Sequence, residues 1–168
     1  DKIFSGVNAE VNSWTQTTSY TVTSGADRLA KTMTATGNAQ VDTAQSVFGG
    51  ASALFDGAYD AITIPDHADF NVSGVAAWCV EARIRPAITG VRMMFIGQLG
   101  AGGAVSGISF YAECQADNKV TFYLASGATV KSGTSTLLTV PGGSYHWALE
   151  KSGYTVTQYI SGVGDGSV

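Results

Sequence analysis

Two stretches of sequence decide the fold: residues 78–86, WCVEARIRP, and residues 145–150, YHWALE. From Trp78 to Ile84 every second residue is apolar, and the residues between are cysteine, glutamate and arginine. Because successive side chains of a β-strand point to opposite faces, this period of two predicts a strand with one buried face. Pro86 is expected to end that strand, since proline has no N–H to donate to a neighbouring strand.

The stretch at 145–150 alternates in the same way and is followed by a Lys-Ser-Gly turn and a further run at 154–160, which predicts a hairpin. Only Asp42–Phe48 suggests a helical turn, with Asp42 as its N-cap. Many short strands without amphipathic helices between them exclude a βαβ architecture and leave a sandwich, a jelly roll or a barrel. Shorter candidate strands lie at 14–22, 52–56, 60–64, 91–98, 105–114, 119–125 and 136–140.

The composition fits this all-β prediction and limits the partners. Charged residues make up 13% of the chain, against about 25% in ordinary globular domains, and 21 glycines supply turns. The formal net charge is −4, whereas nucleic-acid binding needs a basic surface. No apolar run is long enough for a transmembrane helix. We therefore expect neither a nucleic-acid partner nor a membrane partner.

Motifs that would indicate an enzyme are missing from the sequence. There is no Gly-x-Ser-x-Gly nucleophile motif and no Glu-x-Asp-x-x-Glu strand of the kind found in sandwich glucanases. His67 lies in a polar turn and His146 on a predicted strand, and both are interpreted as ordinary surface or hydrogen-bonded histidines. Two histidines and two cysteines far apart in the chain do not have zinc-ligand spacing. We predict a non-enzymatic protein without metal or cofactor.

Two pairs of residues have competing interpretations. Cys79 and Cys114 are interpreted as two buried or half-buried thiols in preference to a disulfide. Asp56 and Asp60 flank a tight turn, where their carboxylates either contribute oxygens to Ca²⁺ or, as we prefer, stabilise the turn itself.

Three segments in order resemble a known family. Residues 48–65 (FGGASALFDGAYDAITIP), 80–86 (VEARIRP) and 145–162 are similar to conserved stretches of laminin-G-like, concanavalin A-like domains. The resemblance implies a jelly-roll sandwich of two antiparallel sheets over residues 38–168, with residues 1–37 as N-terminal strands or a link to an adjoining region. Arg83, Gln158 and Ser161 depart from the family pattern. The family continues for about two more strands, so we expect residues 38–168 to lack the last strands.

Residues 37–46 (GNAQVDTAQS) are similar to the version of this domain found in virion proteins of tailed bacteriophages. The resemblance implies a non-catalytic structural or binding module in a capsid decoration or tail fibre, located in the virion. Its expected partners are other virion proteins, further copies of itself and host-surface glycan.

Two alternatives remain open. One is a carbohydrate-binding or adhesion module of a secreted, extracellular bacterial protein, and the other is a degenerate glycosidase sandwich. Sugar sites need an exposed aromatic ring with amide and carboxylate groups. Trp14, Tyr20, Tyr59 and Tyr111 are available, but each is more often a core or turn aromatic, so no ligand-binding residue is assigned.

Overall fold

The computed structural model describes residues 19–22, 31–72, 74–88, 90–98, 109–126 and 129–168. Contacts between Cα atoms divide the chain into two compact units, Asp1–Phe70 and Asn71–Val168. The domain predicted for residues 38–168 includes parts of both units. That these residues form one sandwich remains a prediction.

The first unit contains short antiparallel strands in two sheets, of order β1-β2-β5 and β3-β4. A single 3-10 turn follows at Ala68–Phe70. Met33 and Ala35 of the central strand of the larger sheet are buried, as the strand period of two requires. The strands are β1 (Ser19–Val22), β2 (Lys31–Thr36), β3 (Gln40–Asp42), β4 (Ser52–Leu54) and β5 (Ala61–Thr63).

The helical turn predicted at Asp42–Phe48 is wrong. Asp42 is the last residue of β3, and bends without helical hydrogen bonding follow it. Its Oδ1 accepts a hydrogen bond of 2.8 Å from the Ala44 N–H. The aspartate therefore closes a local turn two residues on, an alternative to capping that is common for this side chain.

The described residues of the second unit form two four-stranded antiparallel sheets, of order β10-β9-β8-β7 and β13-β12-β11-β6. The prediction of an all-β sandwich of antiparallel sheets is confirmed, while the jelly-roll connectivity stays a prediction. The strands are β6 (Ala77–Ile84), β7 (Met93–Gln98), β8 (Ser109–Cys114), β9 (Lys119–Ser126), β10 (Thr129–Leu138), β11 (Tyr145–Ser152), β12 (Thr155–Ile160) and β13 (Val163–Ser167).

The core lies between these two sheets, and both sheets contribute alternate residues to it. Trp147 is fully buried, and its ring meets Phe95 of the opposite sheet edge-to-face with 5.2 Å between ring centroids. The predicted hairpin of β11 with β12 is present, since Trp147 lies opposite Ile160. On its other side β11 pairs with β6, where Trp147 lies opposite Ala82. The buried core residues are Ala112, Cys114, Val120, Phe122, Trp147, Leu149, Val156 and Ile160.

One polar side chain, Gln158, lies inside this apolar core and is fully buried. Its Oε1 accepts a 2.8 Å hydrogen bond from Trp147 Nε1. Its Nε2 donates to the carbonyl of Val120 at 3.2 Å and to the carbonyl of Asp165 at 3.0 Å. The amide thus joins both sheets by bonding to β9, β11 and β13. This explains the departure from the apolar residue that the family resemblance led us to expect.

At one side of the sandwich, β13 is joined to β10 by the Asp165 carboxylate. Its Oδ1 accepts from the N–H and the hydroxyl of Thr136 at 2.8 and 2.9 Å, and its Oδ2 accepts from the Leu137 N–H at 2.8 Å. Burial acts to raise the pKa of Asp165, but these hydrogen bonds outweigh it and hold the pKa below the usual value. The ionised side chain therefore stabilises the folded state.

We predict that Gln158→Leu lowers the free energy of unfolding by about 2–4 kcal/mol, because it leaves the buried Trp147 N–H and two carbonyls without partners. Urea unfolding followed by tryptophan fluorescence measures this. Gln45→Leu, at an exposed position, is the control and should change stability by less than about 0.5 kcal/mol. Equal stability of Gln158→Leu and wild type would show that the network contributes nothing net.

We predict that Asp165→Asn makes the stability less dependent on pH. Because the pKa of Asp165 is lowered by folding, its contribution is complete above the unfolded pKa of about 3.9 and is lost as the pH falls through the folded pKa. At pH 7 the variant should be less stable than wild type, and the difference should narrow below about pH 4. A constant difference between pH 7 and pH 2.5 in urea unfolding would contradict this role.

Candidate functional site

The outer surface of the sheet β10-β9-β8-β7 carries an unusual group of polar and aromatic side chains. On β8 and β9, the core residues alternate with residues that point away from the core. Because Tyr111 lies opposite Tyr123 and Glu113 lies opposite Thr121, these four side chains form adjacent rows. We call the following set the tyrosine face: Tyr111, Glu113, Gln115, Thr121, Tyr123 and Thr134.

The two tyrosines stack on each other, with 4.5 Å between ring centroids and 15° between ring planes. The next residues across the sheet are small, because Gly97 of β7 lies opposite Tyr111 and Ser132 of β10 lies opposite Tyr123. A Cβ on Gly97 would lie 2.7 Å from the Cβ of Tyr111, so glycine is needed for this close strand pairing. The pair is therefore an aromatic wall with small residues on both sides.

Glu113 is held beside this wall by two donors. Its Oε1 accepts from Arg92 and from Gln115 Nε2, each at 2.6 Å, and the same Nε2 is 3.1 Å from the Tyr123 hydroxyl. The Glu113 side chain is 6% exposed and that of Arg92 is 61% exposed. The bond to Glu113, followed by its charge, raises the pKa of the Arg92 guanidinium. The ion pair therefore neutralises a carboxylate that would be costly to bury alone.

A shallow, open depression lies at the β9–β10 side of the tyrosine face, next to the β8–β9 turn. Thr121 and Thr134 share a 2.9 Å hydrogen bond between their hydroxyls across the strands. At the turn, the Asp117 side chain is 60% exposed and lies 4.0 Å from Lys119 Nζ. The lining residues are Gln115, Ala116, Asp117, Thr121, Tyr123 and Thr134.

The aspartates considered for Ca²⁺ make the hydrogen bonds of a turn. Asp60 accepts from the N–H groups of Asn38, at 2.5 Å, and of Asp56. Asp56 accepts from the Ala58 N–H at 2.7 Å and from Asn38 Nδ2 at 2.8 Å. The bond from Asn38, followed by that from Ala58, holds the pKa of Asp56 below its usual value. All four carboxylate oxygens thus serve the turn, as the preferred interpretation requires. Within the described ranges, no group of three or more His, Cys, Asp or Glu is placed to bind a metal ion.

The two histidines and the two cysteines are not among the residues that form the tyrosine face. His146 Nε2 is 2.9 Å from a Glu81 carboxylate oxygen, and His67 Nδ1 accepts from the Asp69 N–H at 3.2 Å, so both are hydrogen-bonded as predicted. Both cysteines are free thiols as preferred, but Cys79 is exposed and only Cys114 is buried, so the prediction that both are buried or half-buried is wrong for Cys79. Desolvation raises the pKa of each thiol.

Of the four aromatic residues considered for sugar binding, only Tyr111 belongs to the tyrosine face. Tyr59 is fully exposed in the turn of the first unit. Trp14 and the side chain of Tyr20 lie outside the described part of the chain. Sequence reasoning missed Tyr123, Gln115 and Arg92. The signal for Tyr123 and Gln115 was the alternation within 109–125, which becomes informative only when the pairing of β8 with β9 is known. Arg92 lies outside that stretch, and the sequence carried no signal for it.

No protein-family model and no curated protein matches the chain. Among solved structures, it is similar to residues 221–444 of an S-layer domain-containing protein from Clostridium thermocellum, with 22% identity and a TM-score of 0.46. The match covers 90% of this chain and 72% of that chain. In the part of the chain that the structure describes, no helix has the length and apolar character needed to cross a membrane.

We predict that removing the charge of Glu113 and removing the charge of Arg92 shift the pKa of Tyr111 in opposite directions. Burial, followed by Tyr123 and Glu113, raises the pKa of Tyr111, whereas Arg92 lowers it. Glu113→Gln should therefore lower this pKa and Arg92→Met should raise it. Titration of the Tyr111 ring carbon by NMR measures both shifts, and shifts of the same sign would contradict the assigned geometry.

Proposed function

We propose that this protein is a non-catalytic carbohydrate-binding or adhesion module that contacts saccharides through the tyrosine face. The observation that carries the proposal is the stacked Tyr111–Tyr123 pair beside the amide of Gln115 and the hydroxyls of Thr121 and Thr134. Aromatic rings pack against the C–H face of a sugar, and amides, carboxylates and hydroxyls bind its hydroxyl groups. The tyrosine face offers the half-buried tyrosine pair, the Gln115 amide and the exposed Thr134 hydroxyl, whereas Glu113 and Thr121 are buried.

The burial and the hydrogen bonds of Glu113 support a binding role rather than a hydrolytic one. Glycosidases use two carboxyl groups about 5–10 Å apart across the bond that is cleaved, one of which must release or accept a proton. In this structure the Glu113 carboxylate is almost buried and its Oε1 is engaged by both Arg92 and Gln115. These contacts are typical of a carboxylate that stays ionised and holds Arg92 and Gln115 in place.

The same binding role fits two kinds of assembly. We favour a module of a secreted bacterial surface protein, since the tyrosine face requires no partner beyond a saccharide. The second candidate is a bacteriophage virion protein, which is supported by the similarity of residues 37–46 to phage domains. The proteins encoded next to this chain distinguish the two, because capsid or tail proteins would support the virion.

We predict that the protein binds immobilised glycans and that Tyr123→Ala reduces this binding at least about tenfold, by removing the aromatic wall. Glycan-array screening followed by titration calorimetry measures the effect. Tyr154→Ala is the matched control, because Tyr154 is fully exposed in the β11–β12 turn and should not alter binding. Hydrolysis of a bound glycan, or equal loss of binding in both variants, would contradict the proposal.

A further inference from the structure

The depression beside Tyr123 has one aromatic wall that is open to a ligand. One face of the Tyr123 ring is stacked on Tyr111, so only the other face is available. That face is on the β10 side, where the cross-strand neighbour is the small, exposed Ser132. Thr121 and Thr134 lie in the next row of the sheet and also line the depression. A single sugar ring placed there would have an aromatic wall and neighbouring hydroxyls.

The charges around this depression select against anionic ligands. None of its six lining residues is cationic, and Asp117 contributes a largely exposed carboxylate. Two cations near the tyrosine face are engaged, because Arg92 bonds to Glu113 at 2.6 Å and Lys119 Nζ lies 4.0 Å from Asp117. A carboxylated saccharide would bring a second negative charge beside Asp117, where Lys119 already faces one carboxylate.

We infer that the depression is a subsite for a neutral saccharide, in which a sugar ring stacks on the β10-side face of Tyr123 and its hydroxyls donate to the Asp117 carboxylate. The inference rests on the proposed function and adds the charge class of the ligand and the residue that selects it. A hydrogen bond from a hydroxyl to a carboxylate is stronger than one to a neutral acceptor. Asp117 thus both binds neutral sugars and excludes acidic ones.

Two panels of oligosaccharides test this inference by titration calorimetry and by NMR of the labelled protein. The neutral panel contains cello-, malto-, chito- and galacto-oligosaccharides, and the acidic panel contains oligogalacturonate and oligosialic acid. We expect binding only from the neutral panel, with amide shifts at Thr121, Ser132 and Thr134. Asp117→Asn keeps an acceptor for the Lys119 N–H, which Asp117 binds at 3.2 Å, and should weaken neutral binding about tenfold.

Two further variants complete the design. Ser132→Leu should abolish binding by covering the open ring face, while Tyr154→Ala should leave it unchanged. Their folding is checked by the dispersion of the NMR spectrum, and both positions are exposed. Binding of acidic saccharides, or neutral binding that is insensitive to Asp117→Asn and Ser132→Leu, overturns the inference and leaves the proposed function intact. Absence of binding by every saccharide in both panels and on the glycan array overturns the proposed function itself.

Discussion

The amide of Gln158 is the interaction on which the sandwich of the second unit depends. It lies in an apolar core, where an unpaired polar group is costly, and each of its hydrogen bonds reaches a different strand. An apolar side chain could fill this space but could not specify how the two sheets align. The amide requires one arrangement, in which Trp147 Nε1, the Val120 carbonyl and the Asp165 carbonyl all point to the same place. The same alignment fixes the position of the tyrosine face, because Val120 immediately precedes Thr121 on β9.

Strand alternation connects the core to the site. Along β8 and β9, residues that face the core alternate with residues that face outward. Packing of Phe122 in the core therefore fixes the backbone position of Tyr123 on the opposite surface of the sheet. Close packing also imposes glycine at Gly133, where a Cβ would lie 2.5 Å from the Phe122 ring. A site built in this way is held by regular strands rather than by loops, so little conformational entropy is lost when a ligand binds.

Strands whose alternation is clear could be predicted from the sequence. The stretches at 78–84, 145–150 and 154–160 are strands in the structure with their bounds displaced by at most two residues. The strand Val163–Ser167 was not predicted, because its glycines resemble a turn, although it pairs with β12 in a local hairpin. Tyr111 could be considered as a ligand contact but could not be placed beside Tyr123, since a one-residue change of register moves a side chain to the opposite face. Gln158 was noted as a departure, but its contact with the Val120 carbonyl spans 38 residues and follows only from the packing of the two sheets.

The size and charge of the depression limit how the module can work. Under the proposed function, a neutral sugar that stacks on one ring and bonds to one carboxylate gains a few kcal/mol, which corresponds to weak binding of a single copy. Stable attachment then requires several copies on one particle or surface, where each binding event after the first is intramolecular and the affinities combine. Any assembly that displays many copies supplies this effect, so the proposed subsite needs only weak affinity in each copy. The proposed function therefore implies weak recognition of a neutral sugar by one copy and firm adhesion by many copies.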